Sequence, residues 1–117
     1  MAESIIPNTL NEQLAYSIET LATGISLQRF GMLRVLNVSG AKSPTNDGLI
    51  CSIPSSDRPH DTTVGMSLMT QSNNYFSSRI TILTNGNTYG AYYVPGTQTS
   101  TNINGTQAIT GIVVWLV

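Results

Sequence analysis

The sequence predicts an all-β fold, a small antiparallel β-sandwich or jelly roll. Roughly six to eight short apolar stretches are separated by Gly, Pro, Asn and Asp punctuation, and nothing downstream of residue 21 reads as a helix. Arg79 to Val94, RITILTNGNTYGAYYV, has the pattern of a hairpin, because Asn85-Gly86 suits the two central positions of a type I′ turn, where φ must be positive. The chain then ends in QAITGIVVWLV, a β-branched strand with no polar residue from Ile112 onward.

A chain of 117 residues holds one domain, which we divide into an arm or short neck at 1–13 and a head at 14–117. Charged residues make up 9%, far below the roughly 25% of an ordinary soluble domain, and the formal net charge is -1. Without a basic stripe to neutralise phosphates, nucleic acid and anionic membrane surfaces are excluded as partners. No apolar run reaches the roughly 20 residues of a membrane helix, so membrane insertion is not expected. MAESIIPNTL lacks the pattern of a secretory signal, which predicts synthesis in a cytoplasm.

Along the chain, Pro7 blocks an early regular element. Thr9 with Glu12 has capping-box spacing ahead of a Leu10, Leu14, Ile18, Leu21 stripe, yet Leu14, Tyr16, Ile18 and Thr20 also alternate as a strand. We favour the strand because everything after it is β. Ile25 to Phe30 and Met32 to Val38 read as strands hinged at Gly31, the second apolar on both faces and hence central. Ser39 to Gly48 is a loop, and Leu49 to Ile53 a short strand holding Cys51 as an inert core thiol. Thr62 to Thr70 is a strand expected to turn Val64, Met66 and Leu68 inward. In the hairpin, Thr84 opposite Asn87 places Ile80, Ile82, Tyr89, Ala91 and Tyr93 on the core face, with Arg79 beside Tyr92 as a surface cation–π pair. For Ile112 to Val117 both faces need cover: the core supplies one, and a second copy of the chain most simply supplies the other, through Ile112, Val114, Trp115 and Leu116.

Enzyme chemistry fails on inventory. His60 is the single histidine, its neighbours Asp57 and Asp61 are adjacent in sequence, and no elbow motif presents a nucleophile. Those groups make a poor metal set, no phosphate loop or dinucleotide fingerprint is present, and no cofactor is expected. The polar segment Ser55 to Asp61 has two readings. Arg58 pairs with a neighbouring carboxylate and fixes a crossing between strands, or Asp57, His60 and Asp61 hydrogen-bond a sugar whose apolar face lies on Tyr75, beside Asn73 and Asn74.

The succession SLQRFGMLRVLNVSG, ICSIPSSDRP, RITILTNGNTYG and an apolar β end resembles the C-terminal head or tip domains of bacteriophage tail-fibre, receptor-binding and baseplate proteins, over roughly Ile25 to Val117. The resemblance implies a jelly-roll-like sandwich, usually trimeric, in the virion tail. It further implies a domain that displays loops to bacterial surface polysaccharide or serves as a rigid part among other tail or baseplate proteins. The expected function is non-enzymatic saccharide binding as a homotrimer; the alternative is a structural trimerisation or attachment module without a ligand. A trimeric ligand domain of the C1q or tumour-necrosis-factor type has the same architecture, and the missing secretory signal weighs against it.

Overall fold

The structure, a computed structural model, describes residues 16–117. Its strands are β1 (Tyr16–Ala22), β2 (Ile25–Phe30), β3 (Leu33–Ala41), β4 (Leu49–Ser52), β5 (Thr63–Gln71), β6 (Asn74–Ile82), β7 (Asn87–Tyr93), β8 (Ser100–Asn102) and β9 (Ala108–Leu116). All pair antiparallel in one sheet, and a 3-10 turn at Ser55–Asp57 follows β4. The all-β class expected from the sequence is the one observed. Among the described residues no helix is long and apolar enough to cross a membrane. The ambiguous segment at 9–21 is a strand from Tyr16 onward; its first part and the arm at 1–13 lie outside the described residues.

The strand order is β1-β2-β3-β9-β5-β6-β7-β4, with β8 also paired to β7. The sheet curls until β4 approaches β1, and side chains from both halves enter one core. Leu27 on β2, Leu36 on β3, Met69 on β5, Ile80 and Ile82 on β6 and Ile109 on β9 are fully enclosed there. Burying each such side chain contributes about 1.5–3 kcal/mol, so these six together stabilise the fold by roughly 9–18 kcal/mol. Gly31, at φ 57, opens the tight link between β2 and β3 that the sequence places there. β3 lies between β2 and β9, with Leu36 and Val38 buried in the core and Leu33 and Val35 on the outer face beside Leu116 and Val114.

Three assignments are corrected. In the hairpin of β6 and β7, Ile82 pairs with Thr88 and Arg79 with Ala91, one residue away from the expected register. The loop is Thr84-Asn85-Gly86: the Gly86 amide donates to the Leu83 carbonyl at 2.9 Å, and Gly86 takes φ 91, a type I turn followed by a left-handed residue. The slip turns Thr88, Gly90 and Tyr92 toward the core in place of Tyr89 and Tyr93. Arg79 accordingly stacks on Tyr93, 5.5 Å from its ring centre, and not on Tyr92. The two-residue turn with two positive φ values lies instead at Ser72-Asn73, at φ 50 and 67, between β5 and β6.

On β5 the inward set is Gly65, Ser67 and Met69, while Val64, Met66 and Leu68 are exposed. Close approach by β9 is the cause. A Cβ on Gly65 would stand 2.6 Å from the Ile112 carbonyl oxygen, and the Ser67 hydroxyl lies 2.6 Å from that of Ser78, so the inner face has room only for small residues there. On β9, Trp115 is not part of the outward set. It is buried, and its indole Nε1 donates to the Asp57 carbonyl at 2.7 Å, while Ile112, Val114 and Leu116 stay exposed on the opposite face.

Candidate functional site

The polar segment after β4 is a structural clamp. Asp57 is 1% exposed. The Arg29 guanidinium donates from Nε to Oδ1 at 2.9 Å and from Nη2 to Oδ2 at 2.8 Å, and Arg34 Nε donates to Oδ1 at 2.6 Å. Arg29 and then Arg34 hold the carboxyl below the ordinary carboxylate range, against burial, which pulls the other way. Arg29 also reaches Glu19 on β1 at 2.8 Å, and its own pKa is raised by Asp57 first and Glu19 second. The cluster ties β1, β2 and β3 to the turn following β4 and closes one end of the curled sheet.

Among the described residues Arg58 does not pair with a carboxylate. Its Nε donates to the Ile53 carbonyl at 3.1 Å, and Ile53 N donates to the Gly86 carbonyl at 2.9 Å, so the hairpin tip rests on this segment. Of the suggested sugar ligands in the segment, Asp57 offers no face to solvent, whereas His60 and Asp61 are exposed. They do not meet Asn73, Asn74 and Tyr75. Asp61 precedes β5 and Asn73 follows it, and the strand's 9 residues separate its two ends by about 26 Å.

At the end of the sheet opposite the clamp, the loops after β1, β3, β5 and β8 converge. A depression of about 390 Å³ is walled by Lys42, Thr70, Ser72, Asn73, Tyr75 and Thr106. The Tyr75 ring is 72% exposed and free to offer its face. A second, more apolar cleft of about 650 Å³ adjoins it across Lys42, lined by Ala22, Pro44 and Ile50 among others. Lys42 makes no ion pair among the described residues. Sequence reasoning missed Lys42 and Thr106 because they lie in loops far from Tyr75 along the chain.

The walls are held by short-range polar contacts. Asp47 Oδ1 accepts from Thr45 Oγ1 at 2.5 Å and from the Leu49 amide at 3.0 Å, which stiffens the loop between β3 and β4. These donors, the Thr45 hydroxyl first, keep the Asp47 carboxyl below its usual range. Asn46 Oδ1 accepts from the Gly105 amide at 2.8 Å, and Asn102 Nδ2 donates to the Asp47 carbonyl at 3.0 Å, so that loop is bound to the one before β9. Beneath them the buried Gln107 donates to Gln71 Oε1 at 3.2 Å and accepts from the Asn104 amide at 3.0 Å. A depression with fixed walls loses little entropy when a ligand enters.

Among the described residues no three His, Cys, Asp or Glu side chains come together. Cys51 is buried, and burial pushes its thiol up to about 11, opposed by the Thr88 hydroxyl, so it stays protonated near neutral pH. No family model, curated protein or solved structure matches the chain.

Proposed function

We propose that this chain is a non-enzymatic attachment domain of a bacteriophage tail tip or baseplate. In this reading it assembles as a homotrimer and turns its loop end toward host cell-surface saccharide. The observation that supports recognition is the joint presence of Tyr75, Asn73, Thr106 and Lys42 around one depression. A pyranose ring has an apolar face for an aromatic ring and a rim of hydroxyls for amide, hydroxyl and ammonium partners; the depression supplies all of these. Asp57, His60 and Asp61 are left out of the site, the first by burial and the other two by their place at the far end of β5.

Each such site is weak on its own, since sugar hydroxyls exchange one set of hydrogen bonds in water for another. Three copies on one tip raise the effective affinity by about two to four orders of magnitude where spacing permits. Binding to a host-glycan array or to isolated cell wall tests the reading: Tyr75→Ala is expected to lower binding at least tenfold with the melting temperature unchanged, and undiminished binding sinks the site. A structural module without its own ligand is the second reading, favoured by the apolar outer face of β5 and β9. Fluorescently labelled protein that fails to stain host cells would decide for it.

A further inference from the structure

One face of the sheet is built to be covered. On β9, Ile112, Val114 and Leu116 are 55%, 52% and 63% exposed, and on β5 Val64, Met66 and Leu68 point the same way, Met66 at 88%. The surface continues across the sheet. Leu33 stands opposite Leu116 and Val35 opposite Val114. Beyond them Phe30 and Tyr16 complete one row, their rings 4.8 Å apart, and Ile18 extends the next.

The other outward residues of β1, β2, β3, β9 and β5 are Ser, Thr, Asn and Gln with one Ala, Ala108, and none carries a charge. Arg79 stands at the rim on β6, occupied with Tyr93. The amides in the middle of the face are already paired: Asn37 Nδ2 donates to Gln28 Oε1 at 2.5 Å, and Gln28 Nε2 donates to the Tyr16 hydroxyl at 3.2 Å. Burying this surface therefore orphans few polar groups.

We propose that another copy of this chain covers this face. Its large apolar side chains expose on the order of 1,000 Å², above the roughly 300–600 Å² of the largest patch on an ordinary monomer and above the roughly 800 Å² per partner of a standard interface. Apart from Arg79 at its rim the face carries no charge, so on a protein of net charge -1 identical copies meet there with little repulsion. A charged partner finds only Arg79 to pair with, at the rim and already held by Tyr93. The inference deepens the homo-oligomer reading above and rests on it, but is independent of any saccharide.

The test uses the full chain at tens of micromolar in size-exclusion chromatography with light scattering. The wild type is expected to run as a dimer or trimer, and Met66→Lys with Val114→Lys as a monomer with an unchanged circular-dichroism spectrum and melting temperature. Thr101→Lys, on exposed β8, is expected to leave assembly intact. A monomeric wild type overturns both this inference and the homo-oligomer; if its Met66 also resists peroxide, residues 1–15 of the same chain are the cover. An oligomeric wild type with an equally oligomeric double variant overturns the face alone. Should the double variant misfold, peroxide oxidation of the wild-type oligomer decides: Met66 slowed at least tenfold against denatured protein supports the contact, and oxidation at the denatured rate refutes it.

Discussion

The Arg29 guanidinium closes as a fork on the Asp57 carboxylate, with contacts of 2.9 and 2.8 Å that join β2 to the turn after β4. Arg34 adds a third bond at 2.6 Å, and Trp115 holds the Asp57 carbonyl. Asp57→Asn leaves two arginines facing a neutral amide. Removing one partner of a buried pair costs roughly 3–5 kcal/mol. We expect about 3 kcal/mol here, because Arg29 and Arg34 keep 23% and 11% of their side chains in solvent. Urea unfolding of variant and wild type measures it, and a loss below about 1 kcal/mol would show that the clamp is dispensable.

The same carboxylate makes stability depend on acid. Its folded pKa is depressed, Arg29 being the first cause, so its stabilisation is complete above the unfolded carboxyl value of about 4 and is lost as pH falls through the lower folded value. Urea midpoints should be flat above about pH 5 and drop below it. The difference between wild type and Asp57→Asn isolates Asp57: it should narrow steadily below about pH 4, and a constant difference would assign the acid sensitivity elsewhere.

How much was legible depended on whether local chemistry or packing decided each position. β6 and β7 announced themselves through alternation and an Asn-Gly turn, yet Thr84-Asn85-Gly86 suits a three-residue loop equally well. The longer loop is the one seen, with Gly86 docked on Ile53 and Arg58, a contact no local pattern encodes. In β5 the apolar alternation pointed Val64, Met66 and Leu68 inward. Close approach of β9 at Gly65 reversed it. At the candidate site Tyr75 and Asn73 were visible as exposed polar and aromatic loop residues, but Lys42 and Thr106 reach them only through the fold.

The hairpin tip gives a test of that docking. A Cβ on Gly86 would stand 2.6 Å from both the Ile53 carbonyl oxygen and Arg58 Nε, at a backbone φ of +91. Gly96, at φ +77, has nothing within 4 Å of the same position. Gly86→Ala combines left-handed strain with displacement of the Ile53 segment and is expected to cost roughly 2–3 kcal/mol, whereas Gly96→Ala carries the strain alone, roughly 1 kcal/mol. Equal melting shifts for the two would mean that the Gly86 contact contributes nothing beyond its φ.

The two methionines of β5 test which face of that strand meets the core. Met69 is fully enclosed, while Met66 is 88% exposed on the other face. Met69→Ala removes core contacts and leaves a cavity, an expected loss of about 2–5 kcal/mol. Met66→Ala, read at low micromolar concentration where association contributes least, should stay within about 0.5 kcal/mol of wild type. The inward set expected from alternation alone gives the opposite order, so chemical denaturation of the two single variants discriminates between them. A larger loss at Met66 would require β5 to be shifted by one residue against both β6 and β9, which would also turn Gly65 and Ser67 away from the crowded inner face.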